Sequence, residues 1–252
     1  IPIIDKNKKI VDLKFLFEDK PINKNQISNS MVIMVGGKGK RLMPYTKFLP
    51  KTLLKVAGKP IIEHIIDRAK LNGYNNFILS INHLGTLIKK EIGNGKILNT
   101  KIKYIKENKK LGTAGSLSLM KKILKKNFIV TNGDVITDIQ YGELLDFHAK
   151  YDASGTMAVR QHEWKHPFGV VETQGVEIIG FKEKPIARSH VNAGIYALNP
   201  SALDVLLSNS HCDMPTLFNR LQKQKQRTIV YPIHEAWNDI GHLSDYNNAN
   251  GL

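Results

Sequence analysis

Met31-Val32-Ile33-Met34-Val35-Gly36-Gly37-Lys38-Gly39-Lys40-Arg41-Leu42 is the stretch on which the reading of this chain turns. Its five leading apolar residues leave no polar face, as in a strand covered on both sides within a parallel sheet. The run ends in glycines, whose missing Cβ lets backbone N–H groups close on an anion. Two common phosphate loops can be tested here. A Walker loop needs Gly-Lys-Ser/Thr after four spacers, which is absent. The dinucleotide pattern G-x-G-x-x-G is met at Gly37 and Gly39 and broken at Leu42. The loop is therefore either a phosphate cradle of another kind or a plain strand-to-helix turn.

Downstream, strands alternate with amphipathic helices. Residues 60–71 read as a helix with Pro60 first and Ile61, Ile62, Ile65, Ile66 and Ala69 on one face. Strands are expected over 77–81, 101–105 and 128–131, and helices over 86–92 and 113–124. That order predicts an α/β fold, a doubly wound Rossmann-like mixed sheet wrapped by helices. Beyond Ser154 strands dominate, over 155–159, 169–172, 176–181 and 191–198. Helices at 200–207 and 215–225 and a strand at 228–231 follow. Upstream, Ile1-Pro2-Ile3-Ile4 and Ile10-Val11-Asp12-Leu13 flank a polar turn and predict a hairpin. A polar linker over 20–30 sets the expected boundary between an N-terminal piece, 1–30, and a main domain, 31–252. The absence of an initial Met suggests a lost upstream piece.

The 252 residues are 42% hydrophobic and 23% charged, an ordinary globular balance, with a formal net charge of +15. Only six of the 37 basic residues are Arg, and the Lys are spread along the chain. That argues against a nucleic-acid reader and for attraction of small anions such as phosphates. One cysteine, Cys212, excludes an internal disulfide and suits a reducing compartment. With no spanning run or signal peptide, no membrane partner is expected and the chain reads as cytoplasmic. His162 and His166 have the i, i+4 spacing of a metal pair. Pro167 and the strand pattern argue against a shared helix face, and all nine His read as surface or incidental groups.

Ten residues beyond Arg41 comes Pro50-Lys51, then Gly58-Lys59-Pro60, and Arg41 with the Pro-fixed Lys51 would put two cations beside a polyphosphate. Together these residues resemble the signature of the sugar-1-phosphate nucleotidyltransferases. That family joins a nucleoside triphosphate to a sugar 1-phosphate, giving a nucleotide sugar and pyrophosphate. Further motifs follow in the family's order: Asn132-Gly133-Asp134, Glu183-Lys184-Pro185, Asn192-Ala193-Gly194-Ile195-Tyr196 and Trp237-Asn238-Asp239-Ile240-Gly241.

The resemblance implies a nucleotidyltransferase (GT-A-like) fold with a strand-rich sugar-binding half, and a role for each motif. Asp134 and Asp239 would hold Mg²⁺, the expected cofactor. Gly36, Gly37 and Gly39 would cradle the triphosphate. Arg41 would face the pyrophosphate, Lys51 the reacting phosphates and Lys184 the sugar phosphate, with Glu183 and Asn192 on sugar hydroxyls. Glu107, Gly112 and Thr113, in Glu107-Asn108-Lys109-Lys110-Leu111-Gly112-Thr113-Ala114-Gly115, match the base-reading element in its guanylyl-transferring form. A helix start near Thr113 would account for the same residues without function. The N-terminal hairpin resembles the closing hairpin of a cystathionine-β-synthase (CBS) regulatory motif. Members carrying such motifs occur in bacterial surface-sugar pathways, including legionaminic-acid-type sugars entered through GDP-glucosamine. The expected reaction is transfer from GTP to glucosamine 1-phosphate or another hexose or hexosamine 1-phosphate. A uridylyltransferase, a non-catalytic nucleotide-sensing module and a nucleic-acid binder are the competing readings, and a homodimer is left open. The chain's end soon after Gly241 leaves no expected room for a C-terminal acyltransferase or β-helix.

Overall fold

The computed structural model describes residues 26–251 together with the backbone of strands β1 (Pro2–Ile4) and β2 (Ile10–Leu13). The two strands pair antiparallel, as the hairpin reading expects. Their turn and most of the expected linker lie outside the described residues.

From there the chain runs β3 (Ile27–Met34), the small hairpin β4 (Lys55–Val56) and β5 (Lys59–Pro60), α1 (Ile61–Leu71), β6 (Tyr74–Ile81), α2 (Gly85–Ile92) and β7 (Lys101–Lys106). Next come α3 (Gly112–Gly115), β8 (Phe128–Asn132), β9 (Val135–Thr137), α4 (Tyr141–Lys150), β10 (Gly155–Lys165), β11 (Val170–Gln174), β12 (Glu177–Lys182) and β13 (Ile186–Leu198). The last elements are α5 (Met214–Lys223), β14 (Thr228–Ile233), β15 (Trp237–Asp239) and α6 (Leu243–Ala249).

Seven strands form the central sheet in the order β14-β10-β13-β8-β3-β6-β7. β3 is parallel to β6 and β8, β6 to β7, and β10 to β14. β13 is antiparallel to both β8 and β10, so it alone reverses direction and makes the sheet mixed. Because side chains alternate, one apolar strand feeds two cores. Met31 and Ile33 join a cluster with α1, α2 and α4, whereas Val32 joins the opposite cluster with Leu117, Met214 and Leu217. Each fully buried side chain of this size contributes roughly 1.5–3 kcal/mol. In α1 the buried stripe is Ile61, Ile62, Ile65, Ile66 and Ala69, with Pro60 just ahead of the first turn. Glu63 near the N-terminus and Arg68 and Lys70 in the last turn suit the helix dipole.

β3 starts at Ile27, upstream of the expected boundary at residue 31. Ile27 N–H donates to the Gly73 carbonyl at 2.9 Å, and Asn29 Nδ2 to the Asn127 carbonyl at 2.6 Å. The expected helix over 113–124 is broken into α3 and a 3₁₀ turn, Ser116–Met120. Ala114 and Gly115 N–H, first-turn donors with no partner inside the helix, both donate to the Cys212 carbonyl, and Ser118 Oγ donates to the Gly115 carbonyl. The helix expected over 200–207 is a 3₁₀ turn, Pro200–Leu203, capped by the Asn199 side chain. β10 and β13 are longer than expected and continue as an exposed ribbon carrying the β11–β12 hairpin.

The connections after β3 step through β6 to β7, then return to β8 on the other side of β3. The carboxyl ends of β3 and β8 therefore flank a topological switch point, where open α/β sheets bind ligands. The glycine loop follows β3, and Asp134 follows β8.

Candidate active site

The loop leaves β3 and turns at Gly39, whose φ of +61° favours glycine. Thr46 Oγ1 donates to the Gly39 carbonyl at 2.8 Å, and a Cβ at Gly39 would meet Thr46 Cγ2 at 2.9 Å. Leu42, fully buried, pins the following 3₁₀ turn, Lys40–Leu42, and leaves Arg41 projecting from it. Lys51 opens a second 3₁₀ turn, Lys51–Leu53, directly after Pro50.

A cavity of about 500 Å³ opens between these segments, lined by residues 36–41, Lys51, Asn82, Lys110, Asp134 and Gly241. Lys38, Lys40, Arg41, Lys51 and Lys110 supply five cations against the single carboxylate of Asp134. That charge balance suits an anionic ligand such as a polyphosphate. Asn82, Lys110 and the loop lysines Lys38 and Lys40 were not among the expected site residues. Asn82 had a legible signal, since it follows the parallel strand β6 at its carboxyl end. Lys110 looked like one of many surface lysines.

Lys51 Nζ pairs with Asp134 Oδ2, while Asp134 Oδ1 is buried and lacks a partner among the described residues. β15 brings Asp239 close enough to sense the Asp134 charge, outside the cavity lining. It pairs antiparallel with β9, setting Asp239 opposite Val135, and Ile240 N–H donates to the Asp134 carbonyl at 3.0 Å. The Asp239 carboxyl is held above its usual range, first by partial burial and then by the negative charge of Asp134, with Lys51 and Arg41 pulling the other way. Two carboxylates that repel, one with an orphaned buried oxygen, are hard-oxygen donors suited to a divalent cation. Among the described residues no group of three or more His, Cys, Asp or Glu side chains gathers anywhere. The pair would leave remaining positions to water and phosphate, which suits Mg²⁺.

The other expected residues divide. Glu107, buried at the end of β7, accepts from Ser80 Oγ at 2.9 Å and from Leu111 N–H at 3.2 Å. A Cβ on Gly36 would come within 3.2 Å of its Oε1, so Glu107 stands directly behind the loop, itself outside the cavity lining. Gly112 and Thr113 do not line the cavity. Thr113 N–H donates to Asp213 Oδ1 at 3.0 Å, and Thr113 Oγ1 accepts from Met214 N–H at 2.9 Å, fastening α3 to the start of α5. Glu183 and Lys184 lie exposed on the ribbon, 3.9 Å apart, outside the cavity lining. Asn192 also lies outside it, its Oδ1 accepting from Gly194 N–H and its Nδ2 donating to Tyr196 Oη. Burial pushes Tyr196 up to about 12.

The histidines are not all surface groups. His148 is fully buried, with Nδ1 2.8 Å from Thr156 Oγ1, and burial pushes it down to about 4. His242 Nε2 lies 2.9 Å from Arg41 Nη1, beside the cavity. His162 sits within β10, so no helix face pairs it with His166.

A glycine loop and a carboxylate pair at the switch point of a mostly parallel sheet place the chain among α/β proteins with a ligand cleft there, here a basic one suited to phosphate groups. Residues 30–251 match the Nucleotidyl transferase family, and the chain belongs to it. It is 34% identical over 229 residues to a mannose-1-phosphate guanyltransferase of Candida albicans, covering 85% of this chain and 62% of that protein. It is 32% identical over 223 residues to the mannose-1-phosphate guanylyltransferase catalytic subunit beta of Xenopus tropicalis, with the same coverage. The chain thus spans about six-tenths of the length of these curated relatives. HddC from Yersinia pseudotuberculosis, solved with GMP-PN, shares the fold at a TM-score of 0.70 and 21% identity, covering 88% of this chain and 98% of that one. A UDP-glucose pyrophosphorylase solved with UDP-glucose does so at 0.64 and 18%, covering 89% and 98%.

Proposed function

We propose that this protein transfers a nucleotidyl group, with GTP preferred, from a nucleoside triphosphate to a hexose or hexosamine 1-phosphate, releasing pyrophosphate. The convergence of Asp134 and Asp239 opposite the basic glycine loop carries the reading. The relatives' names, both mannose-1-phosphate guanylyl-transferring, support the guanylyl preference and put mannose 1-phosphate beside glucosamine 1-phosphate among the acceptors to test. Glu107 supports it chemically, because a carboxylate accepts hydrogen bonds and guanine's N1–H and amino group donate them. The proposed setting is cytoplasmic nucleotide-sugar synthesis for surface glycans.

A sugar 1-phosphate has a second pKa near ~6, so around neutrality it is already a dianionic nucleophile needing no relay of proton acceptors. The obstacle is repulsion. Two unit charges 4 Å apart repel by about 4 kcal/mol at an effective dielectric of 20, and several such pairs act at once. Lys51, fixed by its turn, offsets charge at the reacting phosphates. Arg41 and the loop N–H groups face the departing pyrophosphate, where charge builds in the transition state. Lys184, Glu183 and Asn192 serve the sugar side from the ribbon. Mg²⁺ held by Asp134 and Asp239 would supply charge neutralisation between the two phosphates.

Pyrophosphate release should be measured for four nucleoside triphosphates against mannose, glucose and glucosamine 1-phosphates. Turnover is expected with GTP in the presence of Mg²⁺. Preference for UTP would transfer the reading to a uridylyltransferase, and no release from any pair would remove it.

A further inference from the structure

His242 is a polar group beside the cavity that the chemistry above does not use. Its Nε2 lies 2.9 Å from Nη1 of Arg41. A guanidinium can only donate, so Nε2 accepts. Among the described residues this is the one hydrogen bond the Arg41 guanidinium makes. It leaves four of that group's five donors for a phosphate.

The imidazole can act as a fixed point because its backbone is clamped from both directions. His242 N–H donates to Asp245 Oδ2 at 2.7 Å, and its carbonyl accepts from Tyr246 N–H at 3.1 Å. α6, which His242 precedes, is fastened to the segment after the glycine loop. The Tyr246 ring packs on Tyr45 at 5.4 Å between centroids, and Asn250 bonds the Ala57 N–H and the Lys55 carbonyl. On the other side, Gly241 lines the cavity and Ile240 N–H holds the Asp134 carbonyl. One short stretch of chain therefore touches the carboxylate strand and the loop arginine together.

We propose that His242 is a positioning residue: it fixes the Arg41 guanidinium in the orientation that receives the diphosphate end of the nucleotide. A free Arg side chain has rotamer freedom that a clamped acceptor reduces before ligand arrives. The inference rests on the reading of this cavity as a triphosphate site.

The test is a double-mutant cycle read by calorimetry with inorganic pyrophosphate in EDTA, alongside pyrophosphate-release kinetics with Mg²⁺. His242→Ala should weaken pyrophosphate binding about tenfold in the wild-type background and hardly at all in Arg41→Ala. His242→Gln, whose amide oxygen still accepts, should restore most of that loss, with melting temperatures reported for every variant. Equal losses in both backgrounds, no loss in either, failure of the Gln rescue, or a wild-type protein that does not bind pyrophosphate would each overturn the proposal. A coupled cycle in a protein that turns over no sugar 1-phosphate would remove the proposed reaction while leaving the His242–Arg41 link standing.

Discussion

Gly133→Ala tests whether Asp134 works where the fold puts it. Gly133 follows β8, and its N–H donates to the Met34 carbonyl at 3.0 Å. A Cβ there would lie 2.7 Å from the Met34 oxygen, 2.8 Å from Thr52 Cγ2 and 2.9 Å from Val35 Cγ1. None of these is the free end of a flexible chain. Met34 closes the central strand, and Thr52 stands next to Lys51 in its turn. The added methyl must therefore push the 133–134 peptide away from β3, at an overpacking cost of about 1–3 kcal/mol. At about 2–4 °C per kcal/mol for a domain of this size, melting should fall by several degrees. The functional loss should be larger than the stability loss suggests, because a displacement approaching ~1 Å at a reacting site can cost roughly a hundredfold in turnover. The assay pairs a thermal melt with pyrophosphate release, and Gly37→Ala is the control, since no atom lies within 4 Å of its added Cβ. That control should melt normally and lose activity only through its approach to substrate. Near-wild-type turnover in Gly133→Ala would refute the reasoning by showing that Asp134 needs no such placement.

Asp239→Asn should abolish Mg²⁺-dependent turnover yet raise the melting temperature of the metal-free protein, because the native carboxyl is held above its usual range by burial and by Asp134. An unchanged or lower melting temperature would count against that repulsion. Lys184→Ala should mainly raise KM for the sugar phosphate; an unchanged KM would reject its assignment. His148, pushed down to about 4 by burial, should make stability pH-dependent. The unfolded chain takes up its proton near 6.5 and the folded one only near 4, so stability is full above the first value and declines as pH falls towards the second. The decline amounts to roughly 3 kcal/mol, and a pH series of melts on wild type and His148→Gln should show that part of the slope vanish.

The fold was legible wherever burial is two-sided. Met31-Val32-Ile33-Met34-Val35 announces itself because both faces are apolar, and the structure splits it between two cores. The upstream part of the same strand, Ser28-Asn29-Ser30, was hidden because it is polar, with Lys126 Nζ donating to Ser28 Oγ and Asn29 Nδ2 to the Asn127 carbonyl. α4 went unanticipated for a related reason. Its buried set, Tyr141, Leu144, Leu145 and His148, includes a histidine that composition alone assigns to the surface. The helix expected after Gly112 gives way to a 3₁₀ turn at Ser116, and its first-turn N–H groups are held by the Cys212 carbonyl, a partner far along the chain that no local pattern announces.

The candidate site divides along the same line between local and long-range information. The glycine loop and Lys51 are local features, and the residues that form them also announce them. The meeting of Asp134 with Asp239 is not local. It depends on a three-residue pairing, β9 with β15, too short to carry a periodicity, and without the motif resemblance Asp239 would have looked like an ordinary turn carboxylate. Gly112 and Thr113 show the reverse hazard. Their small, polar character suited a base-reading element, but the structure commits the Thr113 hydrogen bonds to Asp213 and Met214. That leaves Glu107, with a carboxylate already oriented by Ser80 and Leu111, as the nearer candidate for recognising a base edge. The specificity of the element would then reside in one buried acceptor and in the backbone beside it, with the Gly-Thr-Ala-Gly run setting only where that acceptor stands.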